Sequence, residues 1–177
     1  DTQASATGAT LEIGGNARFD SQSSSASTAG LRGGSGGIVV GAIDGTATSL
    51  TRGETVAFVS GGTLDGGDRL DVDATIIGAT ATSNVSVGAG GTIQVSVADA
   101  VANSDPTVRA YISGSAALGG TNPVGSVDIA AVGRGEADAN SRASGGGVIS
   151  VGITATTAGY DPTVEAYIGS GTTVAAT

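Results

Sequence analysis

The residues best suited to chemistry in this chain are carboxylates. The segment TLDGGDRLDVDA places Asp65, Asp68, Asp71 and Asp73 within nine residues. Carboxylates beside Gly-rich turns suit a hard cation such as calcium, which takes its shell from carboxylate and carbonyl oxygens. The pattern has a faint likeness to Gly/Asp calcium repeats, although only one partial copy is present. A solvated Asp-Gly turn between strands is the plainer reading. Calcium is the one cofactor the sequence suggests; none other is expected.

A second candidate set is aromatic. Phe58, Tyr111 and Tyr167 hold equivalent places in the segments AFV, AYI and AYI. If those segments stack, the rings form an outward stripe, spaced by about 10 Å if two strand layers separate neighbours. Such a stripe could grip a glycan or another fibre; rings that merely cover a seam are the plainer alternative. Arg109 and Glu165 are also equivalent, and at two layers apart no direct ion pair between them is expected. Asp105–Pro106 and Asp161–Pro162 recur as well. Pro fixes the backbone and Asp caps a turn, so a turn entering a strand explains both.

Catalysis finds little to work with. The chain has no His and no Cys, and its seven basic residues are all Arg, so Ser and Thr have no customary base to activate them. GGSGG and SGGG open no helix and read as flexible loops rather than phosphate cradles. Asn84-Val85-Ser86 spells a glycosylation sequon. The chain is not expected to be an enzyme.

The elements that would carry these residues come in threes. GGIVVGA, GGTIQVSV and GGVISVGI begin at Gly36, Gly90 and Gly146; LEI, LDV and VDI begin at Leu11, Leu70 and Val127. DPTVRAYISGS at Asp105 returns as DPTVEAYIGSG at Asp161, with AFVSGGTL as a looser copy. The marks recur in one order about 57 residues apart. That divides a single repetitive domain, 1–177, into units of approximately 11–69, 70–126 and 127–177. Tandem units of this size indicate a stacked array.

The hydrophobic period within each unit is two, which marks strands rather than helices. In TIQVSV, Ile93, Val95 and Val97 share one face, and Gln94, Ser96 and Ala98 share the other. Val108, Ala110 and Ile112 alternate in the same way with Arg109, Tyr111 and Ser113. The Ala/Ser/Gly-rich stretches between motifs differ in length and content, as projecting loops do. The expectation is an all-β parallel β-solenoid, with about two coils per unit, six in all, and a thin aliphatic core. An antiparallel β-sandwich is the alternative.

Composition narrows the partners. Net charge is -9, which argues against nucleic acid and anionic membranes. No run is long enough for a transmembrane helix, and the first residues carry no signal-peptide pattern. Absence of Cys and Met, few aromatics and 32 Gly suit bulk export to an extracellular or cell-surface location. Thr-rich TATS and TATT do not repeat in register, which argues against an ice-binding face.

The pattern GG-x-IxVx followed by DPTVxAYI resembles the repeats of very large secreted bacterial surface proteins, of the filamentous-haemagglutinin type and related giant β-strand repeat proteins. The likeness extends over essentially the whole chain, except that the first unit has RGETVAFV in place of DPTVxAYI. It implies a right-handed parallel β-helix, export, and service as stalk, adhesin or matrix fibre, with no catalytic residues. A fibre- or stalk-forming structural protein is therefore expected, with a glycan-binding adhesin module as the alternative. Its expected partner is itself, end to end, or the continuation of a longer array. From Ile168 through the last residue to Leu11 of a second copy is 20 residues, against 11 and 15 internally, which suggests nearly in-phase addition.

Overall fold

The computed structural model describes all of residues 1–177 and contains only strands, turns and short irregular segments. The first circuit comprises β1 (Thr2–Thr7), β2 (Thr10–Glu12), β3 (Asn16–Gly36) and β4 (Val40–Thr51). The second comprises β5 (Glu54–Ser60), β6 (Thr63–Asp65), β7 (Arg69–Gly90) and β8 (Ile93–Ser104). The third comprises β9 (Thr107–Ser113), β10 (Ala117–Leu118), β11 (Val127–Gly146) and β12 (Ile149–Tyr160). β13 (Thr163–Ile168) and β14 (Thr173–Val174) begin a fourth.

Each strand pairs with the strand four elements away. The sheets run β1-β5-β9-β13, β2-β6-β10-β14, β3-β7-β11 and β4-β8-β12. Every pairing is parallel, which removes the antiparallel sandwich. The all-β, parallel expectation holds.

One unit makes one circuit, not two. The difference lies in the Ala/Ser/Gly-rich stretches, which are the longest strands of the fold rather than loops. NARFDSQSSSASTAGLRGGSG is β3 itself, and its counterparts fill most of β7 and β11. Their alternation is between small and polar residues: Ala79, Ala81, Ser83, Val85, Val87 and Ala89 point inward, and the residues between them outward. The hydrophobic contrast is too low to stand out as a period of two. It is also interrupted, because β3 and β7 change register between Ser23 and Ser24, where Ile77 is an extra residue. Such a bulge flips the facing of all that follows.

The unit boundaries shift accordingly. LEI is not the counterpart of LDV and VDI. β2 pairs Thr10, Leu11 and Glu12 with Thr63, Leu64 and Asp65, whereas LDV lies beside Ala17, Arg18 and Phe19 on β3. RGETVAFV keeps step with its relatives: Thr55, Ala57 and Val59 face Val108, Ala110 and Ile112 without a slip.

The long sheet is walled on its inner side by two sheets in succession, and this divides the interior. Its first half packs on the β5-β9 sheet around Leu70, Val72, Ile76, Val108, Ile112 and Leu118, all essentially inaccessible. Its second half packs on the β4-β8 sheet around Ala47, Val85, Val87, Ala98 and Ala100. Facing runs against side-chain polarity in this second compartment. Gln94, Ser96 and Ala98 point inward, while Ile93, Val95 and Val97 point outward. Apart from Val85 and Val87, the buried residues here are mostly Ala, Ser and Thr, and hydroxyls take up the backbone groups they meet. Ser83 Oγ donates to the Ala47 carbonyl, and Ser96 Oγ to that of Ser144, each at 2.8 Å.

Candidate functional site

The aromatic stripe exists, at half the expected spacing. Phe58, Tyr111 and Tyr167 sit in register on the outer face of β5, β9 and β13. Ring centroids lie 5.0 Å apart for Phe58–Tyr111 and 5.1 Å for Tyr111–Tyr167, with interplanar angles of 4° in both pairs. One circuit per unit brings the rings into direct stacking. Both faces of Tyr111 are therefore occupied by its neighbours. Beneath Phe58 the in-register residue on β1 is Ser5, so a ring face is free for a ligand only at the two ends of the ladder. Burial raises the Tyr111 hydroxyl pKa, with Tyr167 adding to it and Arg109 opposing.

The same shortening creates a charge ladder beside the rings. Arg109 Nε lies 2.9 Å from Glu165 Oε2, and Arg109 Nη1 lies 3.7 Å from Glu54 Oε1. The direct pair not expected from sequence is present because its residues are on adjacent strands. All three side chains are more than a third exposed, so the pairs fix partners more than they stabilise.

The four aspartates do not converge. Asp65 ends β6, where its Oδ1 accepts a hydrogen bond from the Asn122 backbone N–H at 2.7 Å. Asp68 closes the turn made by Gly66 and Gly67, whose φ values of 76° and 101° call for glycine. Asp71 and Asp73 lie beyond that turn on the outer face of β7, and arginines hold them. Arg69 bridges Asp71 and Asp128, reaching Asp128 Oδ2 at 3.1 Å. Arg18 bridges Asp20 at 3.2 Å and Asp73 at 3.3 Å. Partial burial raises the Asp73 pKa against the pull of Arg18, and Asp71, Asp20 and Asp128 reinforce the rise. The turn and the strand thus divide the set into two pairs, with no group of three or more acidic side chains gathered for one ion.

The Asp-Pro pairs sit at the corners that enter β9 and β13, as the sequence suggests, although neither Asp side chain caps the turn. Asp105 and Asp161 donate their backbone N–H groups to the Thr51 and Ser104 carbonyls, carrying the ladder through the corner.

Sequence reasoning missed Gln94, which is 1% exposed. Its Oε1 accepts from the Gly146 backbone N–H at 3.1 Å, and its Nε2 donates to Ser150 Oγ. Space for the amide comes from Gly145, where any Cβ would fall on it. The only available signal was a glycine run facing a lone long polar residue.

No family model matches the chain, and neither the curated proteins nor the solved structures compared with it give a match.

Proposed function

We propose that the chain is a parallel β-solenoid that serves as an extracellular stalk or fibre. The observation that carries this reading is the parallel pairing of every strand with its counterpart one circuit away, in all four sheets. β1 to β4 form one edge strand of each sheet at one end, and β11 to β14 at the other. On β12, even the inward-facing Ser150, Gly152 and Thr154 are exposed. Such edges are templates for further parallel strands. The backbone hydrogen bonds lie along the stacking direction, so a longer stack would bear tension through them. The stacked rings and the Arg109 ladder fit a structural part that holds register between circuits.

Strand order sets how a further copy could stack on this one. After β14 the next vacant positions lie over β11 and β12, whereas a second copy begins with the partner type of β13. Direct addition is out of phase by half a circuit. The near-agreement of spacing in the sequence came from treating LEI as the counterpart of LDV.

A fusion tests this reading. Joining Gly15 of a second copy directly after Thr177 leaves four residues between Val174 and Asn16, matching the four between the in-register Leu64 and Arg69. Small-angle scattering is expected to show a single rod of nearly doubled length. Joining Asp1 after Thr177 should give two rods linked by a kink. Equal behaviour of the two fusions would overturn the reading.

A further inference from the structure

The outer face of the long sheet carries a row of residues that none of the preceding contacts uses. Arg32 on β3, Ser86 on β7 and Arg142 on β11 are in register, one per circuit. The next row toward the N-terminal end of the strands is Gly30, Asn84 and Asn140. All six residues are exposed. Together with Thr28 they line an open groove of about 860 Å³. The two arginines are its walls. Its floor is low because Ser86 is short and Gly30 has no side chain, with nothing within 4 Å of where a Cβ would stand.

Charge sets these arginines apart. Arg18, Arg52, Arg69 and Arg109 all pair with carboxylates, whereas Arg32, Arg134 and Arg142 have no acidic partner within 4.0 Å, and of these three only Arg32 and Arg142 share the groove. In a chain of net charge -9, two free guanidinium groups on one face form a local cationic site. Parallel strands are about 4.8 Å apart, so the two Cα atoms stand about 10 Å apart across Ser86. Guanidinium forks bind planar anions in a bidentate manner. Between the forks lie two carboxamides and a hydroxyl, which offer both donors and acceptors.

We propose that this groove binds an acidic polysaccharide, with Arg32 and Arg142 holding anionic groups on separate sugars and Asn84, Ser86 and Asn140 meeting the hydroxyls between them. The chain of anions must be sparse. Duplex DNA carries a charge about every 1.7 Å along its axis and would meet the acidic remainder of the protein. A glycan with one acid per sugar or per pair of sugars places charge only where the arginines are. The groove lies on a different sheet from the aromatic ladder and does not depend on what continues the open edges.

Binding of the full chain to immobilised polygalacturonate, κ-carrageenan (one sulfate per pair of sugars), neutral dextran and duplex DNA tests this at low and raised salt. At least one acidic glycan should bind, with salt-sensitive affinity, and dextran should not. Which acid binds distinguishes carboxylate from sulfate as the recognised group. Arg32→Gln combined with Arg142→Gln should weaken binding at least tenfold with an unchanged circular-dichroism spectrum. Arg134→Gln, at an exposed arginine outside the groove, should change nothing. Gly30→Gln, which fills the floor without altering charge, should also weaken binding, and it gives an independent reading if the double variant folds poorly. Absence of binding to either acidic glycan, binding to DNA alone, or full affinity in both the double variant and Gly30→Gln would overturn the proposal.

Discussion

The two halves of the interior solve one problem in opposite ways. Around Leu70, Ile76, Ile112 and Leu118, walls stand far enough apart for aliphatic side chains to interdigitate, and burial of apolar area holds them. Around Ala47, Ala98 and Ala100 the inward residues are mostly small, with Val85 and Val87 among them, and hydroxyls and one carboxamide bridge the walls. The same strand, β7, lines both compartments and changes character at its bulge. Cohesion in a repetitive stack can thus come from area or from close approach with satisfied polar groups. The second route leaves several of the larger aliphatic residues outside. Ile93, Ile149 and Ile153 are 42%, 54% and 52% exposed on the outer wall of the narrow half.

Breaking the aliphatic half should have the largest effect. Leu70→Ala removes a side chain with no solvent exposure and is expected to cost about 3 kcal/mol, measured by chemical denaturation. In the narrow half the equivalent injury is an addition. Gly145→Ala places a methyl on the Gln94 amide and should cost about 2 kcal/mol through overpacking and lost hydrogen bonds. Gln94→Ser in the same chain should restore most of that loss. A cost in the double variant equal to the sum of the two single ones would show that the contact is not the cause.

The smallest effect belongs to the surface. The Asp73 pKa is raised in the folded state, so the folded chain binds that proton more tightly than the unfolded one. Its contribution to stability therefore falls as pH rises through the carboxylate range and is regained on acidification. Asp73→Asn should gain relative to the parent as pH rises through that range, by about 0.5 kcal/mol or less, the ordinary span of surface changes. Thermal melts across that range check the sign.

Legibility followed hydrophobic contrast. The Val108/Ala110/Ile112 strand could be read directly because Val and Ile alternate with Arg, Tyr and Ser, and its facing is as expected. The 93–98 strand has equal contrast and is inside out, because facing is set by the wall opposite, which no local pattern records. The long strands were illegible for the complementary reason: Ala and Ser inside, Thr, Asn and Ser outside, and a bulge at Ile77 that resets the count. Placing those strands in loops stretched the expected stack from three circuits to six and the ring spacing from 5 Å to twice that. Of the candidate sites, the aromatic equivalence was readable as a repeat. The arginine groove was not, since Arg32, Ser86 and Arg142 align only once β3, β7 and β11 are known to be strands.

The most direct test of one circuit per unit is an NMR measurement on the unmodified sequence. With only two Phe and three Tyr, selective aromatic labelling resolves the rings individually. Stacked centroids at 5.0 and 5.1 Å predict ring-to-ring nuclear Overhauser contacts for Phe58–Tyr111 and Tyr111–Tyr167, and none for Phe58–Tyr167. Absence of the first two contacts in the folded protein, as rings two strand layers apart would give, would contradict the architecture described above.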